Sequence, residues 1–193
     1  MIEDLDFETY LYISKDKFQI FVLNKKKLKN LYSQELKIDH QFDFKDLNIL
    51  LNFLDKNIYK IEKLIGNFIK NIILIVENEK NLKINMGIKK SYETSLKQKS
   101  FSSNLTELKD LFKKHYQDQT IMHMCIINYI IDGKRYSSFD TKLINDYFCI
   151  EVSFIAIDNK LVFAFDNVLE KYQIKIKQYM CGNYINNFLG DTG

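Results

Sequence analysis

At the start of the chain apolar and polar positions alternate. Tyr10-Leu11-Tyr12-Ile13 and Phe18-Gln19-Ile20-Phe21-Val22-Leu23 flank the polar stretch Ser14-Lys15-Asp16-Lys17, which predicts two strands joined by a short turn. Asn24-Lys25-Lys26-Lys27 supplies a second turn, and the mixed alternation from Leu28 to Ile38 suits a third strand. Three antiparallel strands are thus expected to open the fold. From Asp46 the period changes: Leu47, Leu50, Leu51, Leu54, Ile58, Ile61 and Ile65 recur at spacings of three, four and seven, the apolar stripe of a helix of about five turns. Asp43 and Asp46 sit at its N-terminal end, where negative charge favours the helix dipole, and Gly66 offers a stop. Burying each aliphatic side chain of that stripe is worth about 1.5–3 kcal/mol, so the helix is expected to cover one face of a sheet.

Asn71-Ile72-Ile73-Leu74-Ile75-Val76 is short, apolar and β-branched, the pattern of a central strand covered on both faces and parallel to the first. The order strand, strand, strand, helix, strand is the half-domain plan of actin-like and ribonuclease H-like α/β architectures, and other α/β folds share it. Between Glu77 and about Tyr147 the elements become shorter and less apolar, with a polar loop from Ser91 to Ser103, as expected for an inserted small domain. Within it Leu82–Lys89 reads as a strand. Asn104 and Glu107 resemble a capping box opening a short helix through Leu105, Leu108, Leu111 and Phe112. Ile121–Ile131 reads as a strand closing on the turn Asp132-Gly133, and a further piece begins near Tyr147. The apolar strand Phe148–Ile157, a helix capped by Asp158 or Asn159 and carrying Leu161, Phe165, Val168, Leu169 and Tyr172, and a strand Ile174–Tyr179 then predict a βαβ unit beside the first sheet. The expected division is residues 8–80 with 148–193, and the insert 81–147.

Composition narrows the class. With 46% hydrophobic and 14% aromatic residues in 193, the chain has material for a packed core and is far from a disordered composition. A net charge of +3 from 28 basic and 25 acidic residues makes no electrostatic case for nucleic acid as a partner. Lys25-Lys26-Lys27 reads as a solvated hairpin tip rather than a contact for an anionic surface. Cys125, Cys149 and Cys181 are odd in number and lie among apolar neighbours, as buried thiols of a reducing compartment do. No apolar run approaches the roughly 18 residues that span a bilayer, and Met1-Ile2-Glu3-Asp4 lacks the basic head of a secretory signal, so the cytoplasm is expected.

Candidate chemistry is sparse. His40, His115 and His123 have no spacing that gathers them, and no cysteine or carboxylate pair joins them at ligand distance, so no metal site is expected. His123 reads as a strand histidine, and Asp132-Gly133 as a turn. Cys125 and Cys181 lack a nucleophile motif, and no strained Gly-x-Ser-x-Gly elbow is present. Lys15, Asp16 and Lys17 offer charge to a phosphate, yet a polar β-turn accounts for them more simply. The aromatics, among them Tyr10, Phe18, Phe21, Phe148, Phe163 and Phe165, fit core positions rather than a basic stacking surface.

Several phrases resemble the N-terminal half of the bacterial cell-division protein FtsA, a member of the actin-like ATPase superfamily, across nearly the whole chain. These are the opening hairpin, Ile121-Met122-His123 through Asp132-Gly133, Ile150 through Ile157, and Val168 through Ile174. The resemblance implies an actin-like half-domain with a mixed sheet and helices carrying an inserted small α+β subdomain. In that family the first turn reads Asp-Ile-Gly-Thr-Thr-Lys and holds nucleotide phosphate and its metal. Here Tyr12 stands at the Asp position and Ser14 at the Gly position, with Lys15 and Asp16 where hydroxyl residues stand. A phenol replaces the carboxylate that holds a cation's water shell, and a side chain occupies the place of bare backbone. The phosphate turn is therefore expected to be degenerate, without catalytic residues or a cofactor. The sequence stops before the family's second phosphate loop, adenosine pocket, FtsZ-contacting subdomain and membrane-targeting helix.

The resemblance implies a cytoplasmic, non-enzymatic interaction module of the division machinery, brought to the membrane by partners. The insert carries the contacts with other division proteins and with further copies of the chain, and an exposed strand edge there suits strand addition. The alternative is the first part of a working ATPase, using ATP with magnesium, whose second lobe lies elsewhere. The pilus-assembly relatives of the same superfamily share the plan and the insert.

Overall fold

The computed structural model describes residues 7–39, 42–44, 46–91, 99–138 and 147–190. The chain divides into two compact units, Met1–Lys80 with Lys160–Gly193, and Asn81–Asn159.

The first unit is built on β1 (Phe7–Ile13), β2 (Lys17–Asn24), β3 (Lys29–Lys37), β4 (Asn71–Val76) and β9 (Lys175–Cys181), in spatial order β3-β2-β1-β4-β9. The three opening strands form the expected antiparallel meander, and β4 runs parallel to β1 with Tyr10 opposite Ile73 and Ile13 opposite Val76. β9 extends the parallel part, Val76 facing Cys181. The period-two pattern puts Leu11, Ile13, Phe18, Ile20 and Val22 fully inside. Five successive residues of β4 are buried, as its unbroken apolar run requires of a central strand.

α1 (Asn48–Ile65) buries Leu50, Phe53, Leu54, Asn57, Ile58 and Ile61, while Leu47, Leu51 and Ile65 lie at the margin of the stripe. The Asp46 carboxylate accepts the Asn48 N–H at 3.1 Å, satisfying one orphan donor at the start. At the other end Gly66, with φ +70°, donates its N–H to the Glu62 carbonyl at 2.9 Å. Buried Asn57 has partners on both sides: it donates to the Phe53 carbonyl at 2.6 Å and accepts the Tyr32 hydroxyl at 2.6 Å. α3 (Asn159–Glu170) buries Phe165, Val168 and Leu169, and α4 (Gly182–Gly190) begins where β9 ends.

The second unit holds β5 (Leu82–Ser91), β6 (Gln119–Ile131), β7 (Lys134–Tyr136) and β8 (Tyr147–Asp158) in the order β5-β8-β6-β7, with α2 (Lys99–His115). Its core gathers Leu108 and Phe112 of α2 against Phe148, Ile150, Val152 and Phe154, with the Phe112 and Phe154 rings stacked at 4.7 Å. Asp132 and Gly133, at φ +47° and +85°, make the tight turn into β7, which was too short to read in advance.

Two expectations are corrected. The strand Phe148–Ile157 does not return to the first sheet: it is the core of β8, antiparallel to β5 from Tyr147 opposite Ser91 to Ala156 opposite Leu82, and antiparallel to β6 on its other side. The insert therefore runs to Asn159 rather than residue 147. An unbroken apolar run marks a central strand but does not name its sheet. Second, α2 starts at Lys99, so Asn104 lies within the helix on its buried side, four residues before Leu108, and is not a cap. Glu107 instead pairs with Lys90 at 2.8 Å. Serines at positions 100, 102 and 103 have weak helix preference and hid the first turns.

Candidate functional site: the phosphate-turn position

The C-terminal ends of parallel strands, where α/β folds place their ligands, are here the ends of β1, β4 and β9. The chain leaves β1 at buried Ser14, and the backbone closes a tight turn with the Ser14 N–H donating to the Lys17 carbonyl at 2.9 Å. The Ser14 hydroxyl occupies the inside of that turn. It donates to the Asp16 carboxylate and accepts the Lys17 N–H at 3.1 Å and the Asp16 N–H at 3.4 Å. The Ser14 hydroxyl holds the Asp16 carboxyl below the usual carboxylate range, ahead of the neighbouring lysines. The segment after β3 straps the turn from outside: Phe42 N–H donates to the Lys15 carbonyl at 2.6 Å and Ile38 N–H to the Asp16 carbonyl at 2.8 Å.

Lys15 points away to an exposed ion pair with Glu79 at 2.7 Å, and Lys17 reaches Glu35 at 3.4 Å. Glu77, the first residue after β4, donates its N–H to the Ile13 carbonyl at 2.8 Å and turns its carboxylate to Tyr12, whose phenol donates to it. Asn186 of α4 donates to the same carboxylate at 3.1 Å. Burial first, then the Glu77 carboxylate, keeps the Tyr12 phenol protonated well above its ordinary range. Gly182 packs on the Glu77 backbone; a Cβ there would stand 2.9 Å from Glu77 Cβ and 3.3 Å from its Cα.

Tyr12, Ser14 and Asp16 thus come together at one corner, and Lys15 is directed out of it. The Asp16 and Lys17 amides of the turn already serve the Ser14 hydroxyl, and the Glu77 carboxylate is shared by a phenol and an amide. Sequence reading missed Glu77, Asn186 and Gly182. Glu77 was findable in principle, because the residue after the apolar β4 must lie beside the end of β1 once the two strands are parallel.

The other candidates stay dispersed. His115 ends α2, where Lys113 and Lys114 also favour the carbonyl end of the helix dipole. His123 is half-buried on β6, and burial pushes its imidazole pKa down. His40 lies outside the described residues. Cys181 is buried; Cys125 and Cys149 are only half-buried, and burial followed by Glu151 pushes the Cys149 thiol up. Among the described residues no group of three or more His, Cys, Asp and Glu side chains stands where it holds a metal ion. A cleft of about 500 Å³ lies between α1 and the end of α3, lined by Asn48, Leu51, Asn52, Asp55, Lys171 and Tyr172. The Tyr172 hydroxyl crosses it to donate to Asp55 at 2.6 Å. No helix among the described residues is long and apolar enough to cross a membrane.

No family model and no curated protein matches this sequence. Among solved structures, that of the PilM–PilN type IV pilus biogenesis complex superposes with a TM-score of 0.56 at 6% identity, over 92% of this chain and 48% of that one. The fold is actin-like. The strand order β3-β2-β1-β4-β9, its antiparallel meander followed by parallel strands, is the half-domain plan, and in the sequence the small α+β unit is inserted between β4 and β9. Two further structures align less closely. The cytoplasmic domain of EpsL, an inner-membrane component of the Vibrio cholerae type II secretion system, gives a TM-score of 0.43 at 9% identity over 91% of this chain and 57% of that one. A Bacteroides thetaiotaomicron protein of actin-like ATPase fold and unknown function gives 0.33 at 16%, over 93% and 55%. The chain spans about half the length of these structures.

Proposed function

We propose that this chain is a non-enzymatic interaction module of a membrane-associated assembly machine, and that the second unit makes the partner contacts. The carrying observation is the Ser14-centred network. Its amides and the nearby Glu77 carboxylate are satisfied by the protein's own groups, so admitting a phosphate and its cation means breaking several hydrogen bonds at about 0.5–1.5 kcal/mol each. The second unit offers β5, a strand at the edge of its sheet with Lys83, Asn85 and Lys89 exposed along it, for strand addition by an extended segment.

The likeness to the PilM–PilN complex favours a pilus-type machine. A division role like that of FtsA is the second reading, favoured by the phrases in β6 and β8 that resemble it. A photo-crosslinking residue at Lys83 or Asn85 tests both, with the chain co-expressed with proteins encoded beside it. Crosslinks are expected from β5 and not from Lys109 on α2. Their absence would sink the strand-edge mechanism, and the partner captured decides the machine. Calorimetry with magnesium and ATP is expected to give no heat from this chain. Saturable binding would restore the ATPase alternative.

A further inference from the structure

Among the described strands, β3, β9, β7 and β5 stand at the edges of the two sheets. Proteins blunt such edges, because a row of unpaired N–H and C=O groups templates another strand. β3 carries an extra residue at Leu31 and β9 at Lys177, each a bulge in its ladder, and β7 is three residues long. β5 has neither device. It is ten residues long and pairs with β8 without a break, from Leu82 opposite Ala156 to Ser91 opposite Tyr147. A partner strand can follow that straight edge along its whole length.

The two faces of β5 specify what such a strand must carry. Ile84, Met86 and Ile88 pack against the core that holds Leu108 and Phe112 yet are only half-buried, which leaves apolar surface for a further row. On the other face Lys83, Asn85, Gly87 and Lys89 are exposed. Lys83 has no ion-pair partner among the described residues. The Lys89 ammonium lies 3.7 Å from the centroid of the Tyr147 ring, which holds the cation in place without neutralising it. Lys90, by contrast, is paired with Glu107 on the helix side. Glu151, opposite Gly87, is already served by Asn128 at 2.9 Å and Arg135 at 3.7 Å. Two uncompensated cations therefore flank a stretch of bare backbone at Gly87, as suits a site where another chain approaches closely.

We propose that β5 takes an extended partner segment in which carboxylates and an aromatic ring alternate with aliphatic side chains. The inference rests on the strand-edge reading above and names the chemistry of the incoming strand. In parallel register a carboxylate stands opposite Lys83, aliphatic residues opposite Ile84, Met86 and Ile88, an aromatic ring over Gly87 and a second carboxylate opposite Lys89. An antiparallel strand carries the same order reversed.

The test titrates the full chain into a labelled peptide containing Glu-Val-Thr-Val-Tyr-Val-Glu, or its reverse, and reads fluorescence anisotropy. Saturable binding of one of the two is expected, in preference to the same peptide with lysine in place of each glutamate. Lys83→Gln with Lys89→Gln should weaken the acidic peptide by about fivefold. Lys83→Glu with Lys89→Glu should invert the preference in favour of the lysine peptide, a gain that no folding defect produces. Equal binding of both peptides by the parent, or a preference that charge reversal leaves unchanged, would overturn the proposal. So would a Lys83→Gln, Lys89→Gln chain that self-associates yet binds the acidic peptide as the parent does, because the lysines would then serve only to keep edges apart. If no peptide binds while β5 crosslinks to a partner, the strand chemistry is wrong and the edge mechanism stands; if β5 crosslinks to nothing, both fall.

Discussion

At the scale of single residues, the corner formed by β1, β4 and β9 is a closed set of partners, and its members can be removed one at a time. Tyr12→Phe keeps the ring and deletes the donor to Glu77, which Asn186 still serves; a loss of about 1 kcal/mol in urea unfolding is expected. Gly182→Ala is a sharper test. The added carbon meets Glu77 Cβ at 2.9 Å, closer than such atoms approach, and the neighbouring contact is backbone. An overpacking cost of about 1–3 kcal/mol follows, read as a lower unfolding midpoint. Tyr10 gives a pH signature. Burial, reinforced by its hydrogen bond to Glu8, raises its phenol from 10.0 to about 12. The unfolded chain therefore releases this proton before the folded one. The stability due to Tyr10 is complete below pH 10 and is lost as pH rises towards 12, so the urea midpoint should fall across that interval and absorbance should show a late-ionising tyrosine.

The helices and strands carry predictions of opposite sign. Asn104 is 4% exposed within α2, and among the described residues its side-chain nitrogen has no hydrogen-bond partner. Asn104→Ala removes that buried amide and improves helix preference, and should raise stability by about 1 kcal/mol in thermal unfolding. Gly66→Ala should cost about 1 kcal/mol, purely through the backbone, since nothing among the described residues lies within 4 Å of the added carbon. These two positions also show what periodicity conveys. The stop of α1 at Gly66 and the bounds of β4 at Asn71 and Val76 were legible because glycine and a β-branched run each have one dominant local meaning. Asn104 was misread because the same residue followed by a glutamate serves as a cap in a polar context and sits passively in a core when Leu108 and Phe112 draw it inward. At the candidate site the polar turn was legible from the alternation on either side of Ser14–Lys17, and its correspondence to a phosphate turn only from the resemblance. Asn186 and Gly182 were not, since only the pairing of β4 with β9 brings them to Glu77.

For the molecule as a whole, local pattern identified nearly every element but could not allocate them to sheets. β8 is the instructive case: Phe148 to Ile157 has the apolar density of a central strand in either unit, and only pairing with both β5 and β6 decides. The allocation has a consequence in time. The second unit is one continuous stretch of chain, Asn81–Asn159, whereas the first sheet needs β9, whose partner β4 ended before that stretch began. During synthesis the inner unit has its full complement of strands while the outer sheet still lacks one edge. Closing β4 on β9 then bridges a long, already folded loop, whose entropic cost grows only slowly with its length. A chain truncated just after Asn159 should therefore resist protease in β5–β8 and be cut in β1–β4, the unit that begins first in the sequence being the last to be completed.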